Sequence, residues 1–174
     1  MKRKSLRILI VSLFTVPALF SLAAALMIGL STEDLTRSSD VVLQGEVVDV
    51  AAYWSEDGKI MTRATVRKDI AVRGSITEER VVVEYEGGEI GDIGMKVSDV
   101  ATLRKGEKVL LFLKSSKNRK NEAVHSIVGK AQGKYTVGED GIARKKGFSL
   151  ESGGGVVDND IPAERLIEKI RMVK

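Results

Sequence analysis

The chain predicts a mainly β domain, a small antiparallel β-barrel with a C-terminal amphipathic helix, preceded by an N-terminal signal or anchor helix. Three observations predict it. Val-rich segments separated by glycine-containing turns recur from Val41 to Val137, helical periodicity is confined to the C-terminal turns, and a long uncharged apolar run stands in front of everything else.

The leader comes first. Lys2, Arg3, Lys4 and Arg7 precede an uncharged run from Ile8 to Leu30 that contains Ala23, Ala24 and Ala25. A basic start, an apolar stretch and small residues are the ingredients of an export signal, so residues 1–30 are read as a signal peptide or membrane anchor and residues 31–174 as one extracytoplasmic domain. Two fates fit. Cleavage after Ala25 releases the domain, whereas retention leaves a run long enough to span about 20 residues' worth of hydrocarbon and holds the domain at the membrane surface. The alanines and Pro17, which interrupts the run, favour cleavage. Membrane contact is then expected only through residues 1–30, and only if they stay attached.

Charge excludes one class of partner. All four charges of the leader are basic, so removing them from the 28 basic residues leaves a domain balanced against its 24 acidic ones. A balanced domain offers no electrostatic footprint for nucleic acid, whose binding rests on many phosphate contacts. The local patch Lys114, Lys117, Arg119 and Lys120 has no interleaved aromatic residue and reads as a solvated loop. There is no cysteine, which removes disulfides, thiolate metal ligation and thiol catalysis. Stability must come from packing, and about 140 residues suffice for one core.

Ser31-Thr32-Glu33-Asp34-Leu35 supplies a hydroxyl cap and an acidic first turn for a short helix ending near Ser39. Val41 to Ala52 is a long strand expected to bend or bulge near Gly45. Ser55-Glu56-Asp57-Gly58-Lys59 is a hairpin turn, because Asp-Gly provides positive φ. The return strand is Ile60 to Val72, with Ala64, Val66 and Ile70 on one face and Thr65, Arg67 and Asp69 on the other. Arg80 to Tyr85 is a third strand. Lys108 to Leu113 is a fourth, and its unbroken apolar run Val109–Leu113 predicts burial on both faces. Shorter strands follow at Val124–Val128 and Lys134–Val137, with a turn at Gly138–Gly141 and a connection at Ser152–Gly155. At the end, Asp160 is the expected helix cap and Pro162 belongs to the first turn. Leu166, Ile167, Ile170 and Val173 form one apolar stripe, expected to cover an end of the barrel or sheet.

The stretch Ser38-Ser39-Asp40-Val41-Val42-Leu43-Gln44-Gly45-Glu46-Val47-Val48 resembles the first strand of the netrin-like domains, the family that includes tissue inhibitors of metalloproteinases. The order of later features is similar too: a long second strand ending in Val72-Arg73-Gly74, then the strand introduced by Lys105-Gly106-Glu107. The resemblance spans residues 38–137 and implies an OB-fold barrel. It does not imply protease inhibition, which in the animal inhibitors uses an N-terminal cysteine. The Glu86–Met95 stretch is similar to one in uncharacterised exported prokaryotic proteins of the same layout.

Candidate functional residues cluster in that stretch. Gly87, Gly88, Gly91 and Gly94 permit positive φ and close backbone approach, while Glu86, Glu89 and Asp92 offer carboxylates from one loop. These glycines serve either tight turns in the fold or recognition of a protein; a calcium loop would need denser oxygen ligands. Tyr53 and Trp54, beside the first hairpin turn, either cap the core or present aromatic surface to a partner, and Tyr85 and Tyr135 invite the same two readings. His125 is the single histidine and reads as an ordinary strand residue. No glycine fingerprint for nucleotides is present, and no cofactor or metal is expected. The expected function is therefore an exported, non-enzymatic binding module that recognises a protein in the cell envelope or secreted space. The alternatives are a secreted hydrolase with paired carboxylates and a structural envelope component.

Overall fold

A computed structural model describes residues 29–118, 121–146 and 157–174; the leader through residue 28, Arg119, Lys120 and the Ser152–Gly155 connection lie outside the described residues. Ser31 caps the first helix, α1 (Thr32–Ser38), by accepting a hydrogen bond from the Asp34 amide at 3.0 Å. Leu35 turns inward and is fully buried. Leu30, assigned by sequence to the end of the leader, packs against the same apolar cluster, and its amide donates to the Gln132 side chain at 2.7 Å.

The strands are β1 (Val41–Trp54), β2 (Ile60–Arg73), β3 (Arg80–Glu86), β4 (Gly88–Ile90), β5 (Ile93–Met95), β6 (Lys108–Lys117), β7 (Ala123–Ile127), β8 (Lys134–Val137), β9 (Ile142–Arg144) and β10 (Ile161–Pro162). A short 3₁₀ turn, Lys130–Gly133, leads into β8, and helix α2 (Ala163–Met172) ends the chain. The main sheet runs β1-β2-β3-β7-β6-β8-β9-β10, and β6 also pairs with β1. Hydrogen-bonded neighbours therefore return from β6 to β1. The sequence predicts antiparallel pairing throughout; β3 and β7 are instead parallel neighbours through Val83 and His125, because the β6–β7 hairpin brings β7 back alongside the start-to-end direction of β3.

β1 serves two neighbours at once. Its first half pairs with β6 from Val41 to Glu46, while its whole length pairs with β2. The bend expected near Gly45 is present as register shifts at Gln44/Gly45 and Val47/Asp49. A Cβ on Gly45 would collide with the Arg67 carbonyl, so glycine is what lets the two backbones approach here.

Alternation along β6 divides the apolar residues between two cores. Val109, Leu111 and Leu113 join Leu43, Val47, Ala64, Val66, Val81 and Val83 on one face. Leu110 and Phe112 join Val42, Val72, Tyr135 and the stripe Leu166, Ile167 and Ile170 on the other. Each fully buried Leu or Phe contributes about 2 kcal/mol of apolar transfer, so β6 is stabilised from both sides. Helix α2 thus covers an outer face of the sheet, not an end.

Several expectations are corrected. Asp160 does not cap α2: it adopts φ +50° and pairs with Arg144, and Pro162 stands before the helix, paired with β9 through β10. Ile70 is exposed, since β2 leaves its β3 partner after Arg67 and its register against β1 shifts. The Glu86–Gly94 stretch, read as a loop, forms the β4–β5 hairpin.

Candidate functional site

The β1 arm of the β1–β2 hairpin outruns β6, whereas β3 accompanies β2 as far as Met61. Beyond Asp49, β1 pairs only with β2, and its residues alternate between two faces. Val50 and Ala52 lie on the face shared with Thr62 and Tyr85, across which β4 passes. Gly88 is pressed against Thr62, Ala52 and Ile60, so closely that a Cβ would overlap the Thr62 hydroxyl. Thr62, buried on this face, donates from Oγ1 to the Gly87 carbonyl at 2.5 Å, and the Gly87 amide donates to the Ile60 carbonyl at 2.8 Å. Gly87 and Gly88, with φ +99° and +137°, are glycine because the hairpin must turn over its own sheet.

The hairpin, the β1–β3 face and the segment from Lys96 to Arg104 enclose an open cleft of about 670 Å³. Its walls carry Val50, Ala52, Thr62, Tyr85, Val97 and Leu103, with Glu86, Glu89, Lys96, Asp99 and Arg104 as charged groups. Tyr85 fixes the far wall. Its hydroxyl accepts from the Leu103 amide at 3.1 Å, and burial raises its pKa. Glu86 is bound by Lys59 at 2.6 Å, a hydrogen bond that raises the lysine pKa. Asp99 adopts φ +61°, with its carbonyl accepting from the Ala131 amide at 2.7 Å.

A smaller pocket of about 240 Å³ adjoins the cleft at Thr102 and Arg104 and is lined also by Glu107, Lys134, Thr136 and Lys146. Glu107 anchors it, accepting from Lys134 at 2.7 Å and from Thr136 Oγ1 at 2.6 Å. Burial pulls the Lys134 pKa down, opposed by the Glu107 carboxylate.

The residues singled out from sequence are therefore only partly gathered. Glu86, Gly87, Gly88 and Glu89 line the cleft. Gly91 and Asp92 form the exposed turn between β4 and β5, where Gly91 adopts φ +58°. Trp54, on the same face as Ala52, is 52% exposed and caps no core. Tyr53 points to the opposite face: its hydroxyl donates to Glu84 at 3.2 Å, and Arg63 lies 5.8 Å from its ring centroid. His125 is a β7 residue whose Nδ1 is 3.2 Å from the Val82 carbonyl. Tyr135 is a core residue.

Sequence reading missed Val50, Thr62, Lys96 and Arg104. Thr62 was within reach, because the Asp57-Gly58 turn sets it opposite Ala52. Nothing local marks the irregular 96–104 segment as the opposite wall. Among the described residues no group of three or more His, Cys, Asp and Glu side chains is arranged to hold a metal ion, and no helix is long and apolar enough to cross a membrane. No protein-family profile matches the chain, and no curated protein matches it.

Proposed function

We propose that this chain is an exported, non-enzymatic recognition module that binds a protein of the cell envelope or secreted space through the cleft beneath the β4–β5 hairpin. The observation that carries the reading is the cleft itself. It is open, walled by apolar and charged side chains in comparable measure, and overhung by a hairpin that a buried threonine and two glycines hold in place. Exposed Trp54 and Ile93, on the two hairpins at this end, add the aromatic and aliphatic surface that binding sites use.

The sheet is read as an OB-type barrel. In support, β1, β2, β3, β7 and β6 pair in a circuit that returns to β1, with β3 and β7 parallel. The netrin-like resemblance rests on the Ser38–Val48 stretch, the Val72-Arg73-Gly74 segment and the Lys105-Gly106-Glu107 lead into the fourth expected strand. Export rests on the basic and apolar leader.

The test is affinity capture with the full tagged chain, expressed in its host, from membrane and medium fractions. One protein retained by the wild type and reduced at least tenfold by both Glu89→Lys and Trp54→Ala is the expected result. Equal retention by all three would move recognition away from the cleft. No specific retention would end the proposal and turn attention to peptide and glycan turnover.

A further inference from the structure

Resting on that reading, we infer that the cleft takes its partner as an extended polypeptide strand, added to the open edge of β1 from Val50 to Trp54, with an acidic side chain directed at Lys96 and Arg104.

The edge is open for a reason visible in the pairing. β1 is bound to β6 only as far as Glu46, and the last contacts on that side join Val47 to the turn before β6: the Val47 amide donates to the Glu107 carbonyl at 2.9 Å, and the Gly106 amide donates to the Val47 carbonyl at 2.7 Å. The register shift at Val47/Asp49 follows at once. Past it, β1 continues to Trp54 with β2 on one side and, among the described residues, no strand on the other.

Which groups face that open side follows from the ladder. Antiparallel pairs alternate between those that exchange hydrogen bonds and those that point outward. The Ser55 amide donates to the Lys59 carbonyl, so Tyr53↔Met61 and Ala51↔Arg63 are the bonded pairs. The Ile60 carbonyl accepts from Gly87 on the far side of β2, which independently marks Trp54↔Ile60 as an outward pair. Val50, Ala52 and Trp54 therefore aim their amides and carbonyls at the open edge, and none of these groups has a hydrogen-bond partner among the described residues. Asp49, Ala51, Tyr53 and Trp54 are exposed.

Natural sheets protect such edges with lysine, proline, a bulge or a covering segment. From Val50 to Trp54 the strand reads Val-Ala-Ala-Tyr-Trp and contains none of these residues. Across the cleft from it stands the Lys96–Arg104 segment, so an added strand would place alternate side chains over Val50 and Ala52 and against Val97 and Leu103. Charge selects among such strands. Glu86 is neutralised by Lys59, while Lys96 and Arg104, like Glu89 and Asp99, have no ion pair among the described residues, and Arg104 further depresses the Lys134 pKa by its positive charge. An acidic residue in the added strand, placed on the Lys96–Arg104 side and away from Glu89, would give these two cations a counter-charge.

The experiment selects random dodecapeptides displayed on phage against the immobilised full chain, then measures resynthesised winners by calorimetry. The expected winners alternate apolar residues around an Asp or Glu, weaken at least tenfold when every second amide is N-methylated, and tolerate methylation of the intervening amides. Ala52→Pro should cost at least tenfold as well, since its amide faces the edge and proline there removes no bond to β2. The methylated peptides keep the test independent of how that variant folds. Winners that tolerate methylation in both registers, or lose nothing in Ala52→Pro, overturn strand addition; if Glu89→Lys still weakens them, the cleft reading survives. No enriched peptide overturns the inference, while the envelope capture decides the broader reading separately. A wild-type dimer that Ala52→Pro dissociates and that excludes peptide would assign the edge to a second copy of the chain and likewise overturn it.

Discussion

The Lys145 ammonium lies 4.6 Å from the centroid of the Tyr135 ring, buried and, among the described residues, without a hydrogen-bond acceptor. The ring face supplies a weak attraction for the cation, but water is excluded from both groups. Burial draws the Lys145 pKa down to about 8, with the Asp158 carboxylate opposing the shift and Lys169 adding to it. Asp158 spends its own acceptor capacity elsewhere, on Thr32 Oγ1 and on Lys169 at 2.7 Å.

Lys145→Met should therefore stabilise the protein at pH 7, by about 1–3 kcal/mol. The sign follows from linkage. A lysine with a depressed folded pKa binds fewer protons folded than unfolded between its two pKa values, so wild-type stability from this group rises with pH from about 8 towards the unfolded value of 10.5. Urea midpoints at pH 7 and pH 10 check it: the advantage of the methionine variant should shrink at the higher pH, and an advantage independent of pH would mean packing is responsible.

Two glycines should respond differently to alanine. Gly45→Ala drives a methyl group into the Arg67 carbonyl and should cost at least about 2 kcal/mol. Gly91→Ala meets open space, so only its φ of +58° is penalised, by about 1 kcal/mol. Chemical denaturation distinguishes a large loss from a small one.

Thr62→Val removes the donor to the Gly87 carbonyl while preserving shape, leaving a buried acceptor unsatisfied at a cost of about 1–2 kcal/mol. The loss should be local in its consequence. Amide exchange should accelerate across Gly88–Met95 more than in β6, and uniform acceleration would contradict a hairpin tethered at this point.

Glu107→Leu takes the counter-charge from Lys134, whose side chain is 14% exposed and which keeps its bond to the Thr102 carbonyl at 2.6 Å, and removes the acceptor of Thr136. A loss of about 3 kcal/mol is expected, with Glu107→Gln losing less because the amide oxygen still accepts. Thermal unfolding of both variants ranks them; equal Tm values would show that the carboxylate charge is immaterial.

The strand pattern was readable because each signal is local. Asp57-Gly58 specifies a hairpin through the φ of +76° at Gly58, and Val109–Leu113 announces burial on both faces through composition alone. The strand ends were less readable. β1 reaches Trp54 and β6 reaches Lys117 because β2 and β7 supply partners there, and pairing partners are remote in sequence. Asp160 misled for the same reason: its residue type suits a cap, yet the Arg144 guanidinium from the β9 strand holds it 3.0 Å away in an ion pair.

The candidate site divides along similar lines. The glycines of the Glu86–Met95 stretch identified a backbone under unusual geometric demand, which Gly88 meets against Thr62 and Ala52 and Gly87 against the Met95 carbonyl, all within their own fold. Neither the cleft nor the open edge of β1 has any local signature, because both arise where partners are missing: β6 stops accompanying β1 near Val47, and the irregular 96–104 segment closes the far side.

Taken alone, the amino-acid order settled the β-rich class, the α2 stripe of Leu166, Ile167 and Ile170, the bend at Gly45 and the absence of thiol chemistry, since periodicity, turn chemistry and composition act over a few residues. Tertiary packing decided the rest: the parallel β3–β7 contact, the outer face chosen by α2, the partners Glu84 and Arg63 that Tyr53 meets, and the cleft between hairpin and loop. Those features depend on which distant segments share space, and that is settled only when the two apolar cores close on either side of β6.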